Sequence, residues 1–303
     1  MKMHRIAIAG ATGFAGIELY RLLYNHPEVE VTAITSESRA GTAYREVYAH
    51  IREFSDMALQ SADQLDPEDT DLIFLALPHG ASMDYVRKWK GFDKPIIDLS
   101  GDFRLSDQDT YEQWYQMDHS YPEGFDTVVY GLTEWHREEL TDADLIANPG
   151  CYPTSVLMAI IPLVREGIVD AQSFIADSKS GVTGAGAGLK ESTHFATTHD
   201  NFNAYGYPNH RHTIEMEQGT DRLTNDKTRV QFTPHLIPAN RGILSTIYAE
   251  PRGDMNNRML KEIYHDAYGQ EFFIRLADEP VEINQVRATN FCDIYPLYDE
   301  RTG

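Results

Sequence analysis

The N-terminal residues constrain the fold most, because they read as a strand, a glycine turn, a helix and a second strand. An apolar run at 5–9 leads into the turn at 10–16, and a second apolar run follows at 29–34. In such a unit the glycines let the backbone approach a pyrophosphate closely, and the first N–H groups of the helix point at the anion. The pattern predicts a dinucleotide site that contains Gly10, Thr12, Gly13, Phe14, Ala15 and Gly16.

The end of the second strand indicates which dinucleotide binds. An NAD site normally places an acidic residue there to hold the ribose hydroxyls. This chain instead has Ser36, Ser38 and Arg39, which together suit a 2′-phosphate, so the sequence favours NADP(H). Glu37 lies between them, and an inward-pointing carboxylate would reverse that preference.

Strand and helix patterns continue to alternate through the first half of the chain. Apolar runs at 71–77 and 95–99 end in loops that begin at Pro78 and Ser100. This alternation predicts an α/β domain with a doubly wound parallel sheet, whose ligand-binding loops leave the carboxyl ends of the strands. We expect residues 1–150 to form this NADP-binding Rossmann domain.

After about residue 150 the pattern changes to fewer and longer strands. Strand-like runs occur at 174–180, 229–236, 243–250 and 281–294. The clearest late helix spans 255–268. Strands and helices that are segregated in this way predict an α+β domain over 151–303, with an antiparallel or mixed sheet.

The segment 148–154, Asn-Pro-Gly-Cys-Tyr-Pro-Thr, places a thiol at the start of a predicted helix that continues to Arg165. A sulfur there feels the positive end of the helix dipole, which lowers its pKa, and neighbouring N–H groups can hold an oxyanion. The alternative is a small thiol packed in the core. After a short strand at 144–147, Cys151 is expected on the cofactor's side of the sheet, whereas Cys292 is expected in the core.

The glycine-rich stretch at 181–188 has two interpretations. It is either a flexible loop or an anion-binding nest, in which Ser180, Thr183 and glycine N–H groups lie beside Lys179.

Four of the twelve histidines lie between residues 194 and 212. A thiol enzyme needs a proton shuttle, and histidine titrates near neutral pH. His210 and His212 project to the same side if this segment is extended, with Arg211 opposite. Two alternatives are a metal site, whose ligand spacing matches no template, and ordinary surface or helix-capping histidines.

The composition argues against several classes of protein. A formal net charge of −21 argues against nucleic-acid binding, which needs clustered cations. No apolar run approaches a membrane span, and no apolar leader precedes the first strand. Two distant cysteines do not make a disulfide framework. We therefore expect a cytoplasmic protein that acts on a small molecule.

Six segments, taken in order, resemble the N-acetyl-γ-glutamyl-phosphate reductases: 10–16, 99–105, 148–154, 180–186, 210–215 and 234–242. The resemblance covers essentially the whole chain, and the cysteine segment differs from that of aspartate-semialdehyde dehydrogenases. It implies a glyceraldehyde-3-phosphate-dehydrogenase-like catalytic and dimerisation domain after the nucleotide domain, in a homodimer or homotetramer. It also implies the NADPH-dependent reduction of an acyl phosphate to a semialdehyde in arginine biosynthesis.

The mechanism we predict is covalent. Cys151 forms a thioester with the substrate, His210 or His212 manages the proton, and Glu215 orients an imidazole. Predicted substrate ligands are Ser100, Arg104, Lys179, Arg211 and Arg241. Predicted cofactor contacts include, besides the glycine turn and residues 36–39, Pro78 and Gly184.

The chain departs from the family pattern in three places. Gly101 stands where the family usually has alanine, and Ile214 stands where it usually has proline. The family also continues beyond a segment like 299–303 with a strand and a helix that returns to the nucleotide domain, so we expect that helix to be missing here. Three other functions stay open: a lysine-pathway homologue acting on an aminoadipyl phosphate, a non-catalytic NADP-binding regulator and a metal-dependent hydrolase.

Overall fold

The computed structural model describes residues 3–53 and 55–303. The chain divides into two compact units: unit 1 ends at Pro149 and unit 2 begins at Gly150. Within the described residues, no helix has both the length and the apolar character needed to span a bilayer.

Unit 1 is built on a single parallel sheet. Its strands are β1 (His4–Ala9), β2 (Val29–Ile34), β3 (Leu72–Leu75), β4 (Ile96–Asp98), β5 (Val128–Tyr130) and β6 (Leu145–Ala147). They lie in the order β2-β1-β3-β4-β6-β5, and every neighbouring pair is parallel. Its helices are α1 (Phe14–Tyr24), α2 (Tyr44–Val47), α3 (Ser82–Trp89), α4 (Gln108–Tyr115) and α5 (Thr133–Thr141). The predicted α/β class is confirmed.

The core of unit 1 also shapes the glycine turn. Ile8 of β1, Ile34 of β2 and Ile17 of α1 belong to one buried apolar cluster, which also contains Tyr44 of α2. The Tyr44 hydroxyl donates a hydrogen bond of 2.7 Å to the carbonyl oxygen of Ala11, inside the turn. The packing that stabilises β1 and α1 therefore also holds the turn between them.

Unit 2 contains a mixed sheet. Its strands are β7 (Phe174–Ser180), β8 (Asn203–Ala204), β9 (Val230–Leu236), β10 (Ile243–Tyr248), β11 (Ile274–Leu276) and β12 (Cys292–Ile294). The first four form a sheet in the order β10-β7-β9-β8, in which β7 and β9 are parallel and the outer pairs antiparallel. Its helices are α6 (Cys151–Arg165), α7 (Phe195–Thr198), α8 (His212–Asp221) and α9 (Asn257–Tyr268).

The strand predicted at 281–294 is wrong over most of its length. Residues Ile283–Val286 form a 3-10 turn, and only Cys292–Ile294 pair as a strand. Glu282 and Gln285 close the turn with a reciprocal capping box, a local hydrogen-bonded alternative to pairing in a sheet.

Helix α6 packs on one face of the mixed sheet. The side chains that α6 buries include Val156, Ile160 and Ile161. These are apolar residues whose helical spacing predicts the helix from the sequence. The hydroxyl groups of Ser155 on α6 and Ser178 on β7 each lie 2.7 Å from the Ser245 hydroxyl on β10. These polar contacts fix α6 relative to two strands of the sheet.

Candidate active site

The glycine turn of unit 1 has the shape that a pyrophosphate requires. Gly10 has a φ of +86°, and a Cβ there would lie 2.4 Å from the carbonyl oxygen of Ala76, so only glycine fits. Gly13 is the N-cap residue of α1 and supplies no side-chain cap, and the next two residues, Phe14 and Ala15, are exposed. A helix start of this kind offers backbone N–H groups to an anion.

Space at the turn fits the cofactor as well. A Cβ at Gly13 would meet nothing closer than 3.7 Å, so room remains beside the helix start, whereas a Cβ at Gly16 would lie 2.4 Å from the Gly10 carbonyl oxygen. Gly13 thus faces open space, and Gly16 allows helix α1 to pack closely on the turn.

The residues after β2 suit a 2′-phosphate. The hydroxyl groups of Ser36 and Thr12 lie 2.8 Å apart, and Ser38 and Arg39 are exposed. Glu37, whose orientation decides between the cofactors, accepts the Ala62 N–H at 2.8 Å through Oε1. Because that carboxylate is bound to the main chain, it is not directed at a ribose.

Two buried carboxylates join the loops that follow β3 and β4. Asp98 accepts hydrogen bonds from the hydroxyls of Ser82 and Ser100, each at 2.7 Å. Asp102 accepts the N–H groups of Gly80 and Ser82 and so caps the start of α3. Burial, with the nearby Asp102 charge adding to it, raises the pKa of Asp98 to about 6. Neither aspartate was predicted from the sequence as a site residue; the local signal for them was that Asp98 ends a buried strand and Asp102 lies in the loop that follows it.

Two predicted substrate ligands are tied to this loop structure. Ser100 is 1% exposed, and its hydroxyl is donated to Asp98. Arg104 is 6% exposed; its Nε donates to the carbonyl oxygen of Asn148 at 2.8 Å, and its Nη2 donates to that of Leu99 at 2.7 Å. These contacts hold both side chains within the loops, and their contact with substrate stays a prediction. Pro78, at the same edge, is exposed.

In unit 2, Cys151 is the first residue of α6 and is exposed. The core-thiol interpretation is therefore wrong for Cys151, while Cys292 is only half-buried at the start of β12. Gly150 is the N-cap residue of α6 and supplies no side-chain cap. Its N–H donates to Glu215 Oε1 at 2.7 Å, and its carbonyl oxygen accepts the Thr154 N–H at 2.9 Å.

Aromatic side chains surround the start of α6. The hydroxyls of Tyr152 and Tyr205 lie 3.1 Å apart, and the ring of His210 makes edge contacts with both tyrosine rings. Burial raises the pKa of each tyrosine, and Tyr152 directly follows Cys151 in α6. Tyr205 was not predicted from the sequence, because the bond to Tyr152 joins positions 53 residues apart.

The two histidines lie together, with ring centroids 4.8 Å apart, but the segment is not extended. Helix α8 begins at His212, whose N–H donates to His210 Nδ1 at 3.2 Å. This bond places the proton of a neutral His210 on Nε2. Burial, together with the charge of Arg211, lowers the pKa of His210 to about 4, so its imidazole is neutral at pH 7.

The anion nest predicted beside Lys179 is wrong. The N–H groups of residues 181–183 donate to carbonyl oxygens within 239–242, and the Gly184 N–H donates to the Gly181 carbonyl, so these donors are already used. Lys179 lies on the face of β7 opposite the buried Ser178 and Ser180, and its ammonium group pairs with Asp177 at 3.0 Å. Of the remaining predicted ligands, Arg211 is half-buried and Arg241 exposed.

The metal interpretation has no support in the part of the chain that the structure describes. There, no three or more side chains of His, Cys, Asp or Glu are grouped so as to hold a metal ion.

The two departures inside the chain have local explanations. A Cβ at Gly101 would lie 2.2 Å from the Tyr115 hydroxyl, so the tyrosine ring fills the space of an alanine methyl. Ile214 lies in the first turn of α8, a regular helix start.

Comparison with known proteins identifies the family. The NAD binding domain model of semialdehyde dehydrogenase matches residues 5–143, and the dimerisation domain model matches residues 151–303. The chain is 43% identical to the N-acetyl-gamma-glutamyl-phosphate reductase of Pelotomaculum thermopropionicum, over 99% of this chain and 87% of that protein. It is 45% identical to the same enzyme of Desulfotalea psychrophila, over 99% and 88%. The chain belongs to the N-acetyl-γ-glutamyl-phosphate reductase family.

Solved structures show the same fold at lower identity. Aspartate semialdehyde dehydrogenase II from Vibrio cholerae matches with a TM-score of 0.71 and 17% identity, over 100% of this chain and 90% of that chain. The enzyme from Candida albicans, solved with NADP, matches with a TM-score of 0.62 and 14% identity, over 92% and 84%. The resemblance to N-acetyl-γ-glutamyl-phosphate reductases is confirmed by the relatives of higher identity, and with it the predicted oxidoreductase class.

Proposed function

We propose that the protein reduces N-acetyl-γ-glutamyl phosphate to N-acetylglutamate semialdehyde and phosphate with NADPH, a step of arginine biosynthesis. The observation that carries the proposal is the exposed Cys151 thiol at the start of α6, in a chain whose named relatives are reductases of this substrate.

The first step is attack of the Cys151 thiolate on the acyl carbonyl carbon. A C–S bond forms, the C–O bond to phosphate breaks, and inorganic phosphate leaves with the electron pair. N–H groups in the first turn of α6 are suited to hold the oxyanion, because the helix starts without a side-chain cap. The product on the enzyme is a Cys151 thioester.

The cofactor, when bound at the glycine turn, supplies the hydride that reduces this thioester carbon. The resulting thiohemiacetal on Cys151 loses the sulfur as the carbonyl forms, which frees the aldehyde. A proton has to reach the sulfur or the oxyanion in this phase. We assign the proton transfer to His212, because the Nδ1 atom of His210 is already occupied by the His212 N–H.

Recognition of the substrate's anionic groups falls to arginines of unit 2. Arg211, half-buried at the N-cap of α8, and the exposed Arg241 are the candidates. A guanidinium group binds phosphate or carboxylate through paired N–H donors, which gives orientation as well as charge.

We further infer that the protein is a homodimer that acts in the cytoplasm. Ile175 on β7 and Tyr248 on β10 are paired in register and are 41% and 59% exposed, on the sheet face away from α6. The dimerisation domain match supports a second copy of this chain as the partner of this face. Tyr248→Asp should yield monomers in analytical ultracentrifugation, whereas Phe272→Asp, at an exposed aromatic outside this sheet, should not. We infer the cytoplasm because a reducing compartment keeps a catalytic thiol reduced.

The test is NADPH oxidation by the purified protein with a panel of acyl phosphates. We expect turnover of N-acetyl-γ-glutamyl phosphate well above that of an aminoadipyl phosphate, and none in Cys151→Ser, which should still bind NADPH. NADPH binding by the wild-type protein without turnover of any acyl phosphate would instead support the regulator.

A further inference from the structure

We propose that Glu215 is a positioning residue for Cys151, which it holds through the main chain of Gly150. This inference rests on the proposed function, since it assigns a part in the thiol chemistry. The sequence led us to expect that Glu215 orients an imidazole. In the structure, its Oε1 accepts the Gly150 N–H at 2.7 Å, which gives it a contact beside the thiol.

The peptide that precedes the thiol is held on both sides. Gly150 donates its N–H to Glu215, and its carbonyl oxygen accepts both the N–H and the hydroxyl of Thr154, each at 2.9 Å. Because Gly150 is the N-cap residue of α6, these contacts determine where Cys151, the next residue, begins the helix. Glycine has the widest backbone freedom of any residue. A hydrogen bond to its main chain therefore limits a backbone motion that a glycine by itself would permit.

The anchor itself is rigid. Glu215 is 1% exposed and lies in the first turn of α8, a helix that packs against α6. Its neighbour Met216 is 0% exposed, so this turn of α8 is part of the core of unit 2. A buried carboxylate that accepts a backbone N–H makes a stronger bond than a neutral acceptor does.

The negative charge of Glu215 has a second consequence. A carboxylate near a thiol disfavours the thiolate, so it opposes the effect of the α6 dipole on the sulfur. The acceptor and the charge can be separated by substitution, because glutamine keeps an oxygen acceptor without the charge and alanine removes both.

The experiment compares Glu215→Gln, Glu215→Ala and a matched control, Glu217→Gln. Glu217 lies on the same helix, and its carboxylate also accepts a main-chain N–H, that of Val230 at 3.2 Å. For each protein we would measure the pH profile of Cys151 alkylation by iodoacetamide, resolved by peptide mass spectrometry, together with kcat, KM and Tm.

We expect both Glu215 variants to shift the alkylation profile to lower pH, because both remove the charge. Glu215→Gln should keep kcat within about tenfold, whereas Glu215→Ala should lose about 100-fold, the order expected for a small misplacement of a reacting group. Glu217→Gln should leave the profile and kcat unchanged. A residue that serves only folding would change Tm and leave the profile where it is.

Two results would overturn the proposal: an unchanged alkylation profile in both Glu215 variants, or a loss of kcat in Glu215→Gln as large as in Glu215→Ala. The second would return Glu215 to the charged, imidazole-orienting role. Alkylation requires no substrate, so failure of the proposed function shows separately, as absence of turnover in the wild-type protein.

Discussion

Helices α1 and α6 begin alike, and we propose different chemistry for their two starts. Each starts after a strand of the parallel sheet, with glycine as the N-cap residue and no side-chain cap. The residues that follow Gly13 in α1 carry no reactive group, so that helix start offers backbone N–H groups to an anion. The residue that follows Gly150 in α6 is Cys151. This helix start therefore places a nucleophile in the same positive electrostatic field of a helix N-terminus.

The two helix starts are also shaped differently. The turn before α1 is shaped by its own glycines, since a Cβ at Gly10 would meet the neighbouring strand end at Ala76. The start of α6 depends on Glu215, which is 65 residues from Gly150 in the chain. Both helix starts therefore depend on segments far apart in the chain: the turn before α1 packs on the backbone of Ala76, whereas the start of α6 is held by the carboxylate of Glu215.

Removal of the proposed proton carrier, His212, should have the largest effect on the chemistry at the start of α6. We expect His212→Asn to lower kcat by about 100- to 10,000-fold, as for other positioned acid–base groups. His210→Asn should cost less, because the Nδ1 atom of His210 is already occupied by the His212 N–H. Steady-state kinetics of the two variants check this, and a larger loss for His210→Asn would reverse the assignment.

An acidic side chain at the start of α1 should weaken NADPH binding without lowering the stability of the fold. Gly13→Asp supplies an N-cap side chain, so Tm should stay level or rise. Its charge near the pyrophosphate should weaken NADPH binding by about 100-fold, because like charges a few Å apart repel by several kcal/mol. Fluorescence titration with NADPH measures the loss. Tight binding by this variant would show that the turn at 10–16 does not hold the cofactor.

A smaller effect on affinity tests whether the site prefers NADPH to NADH. Arg39→Gln should reduce NADPH affinity by about tenfold, the size expected for one charge-assisted hydrogen bond, and leave NADH affinity unchanged. Glu37→Gln is the matched control, because the Glu37 carboxylate is bound to the Ala62 N–H. Equal losses for both cofactors in Arg39→Gln would count against a 2′-phosphate contact.

The smallest effect concerns the buried loops of unit 1. Burial raises the pKa of Asp98 to about 6, so the folded state favours the protonated form, and stability falls as pH rises from about 4 to 6. An asparagine side chain cannot ionise, so between those pH values Asp98→Asn should lose less stability than the wild-type protein does. Thermal unfolding at pH 4 and pH 7 tests this; a constant difference would mean that Asp98 stays ionised.

The sequence predicts the elements whose signals are local. The strand–turn–helix around Gly10 and the apolar face of α6 both follow from spacing within a few residues. The exposed thiol at Cys151 also agrees with its predicted place at a helix start.

Part of what the sequence did not predict depends on distant partners. The Tyr152–Tyr205 pair and the contact of Glu215 with Gly150 cross more than fifty residues each. The extended geometry assumed for 210–212 was wrong because α8 starts at His212, whose N–H is taken by a neighbouring ring. Lys179 illustrates a third cause: the alternation of β7 decides which face it occupies.

The most direct test of the central claim is acyl transfer to sulfur. Incubation with N-acetyl-γ-glutamyl phosphate in the absence of NADPH should leave an N-acetylglutamyl thioester on the Cys151 peptide, detected by mass spectrometry and discharged when NADPH is added. Turnover with no adduct at Cys151, or turnover that persists in Cys151→Ser, would contradict the account.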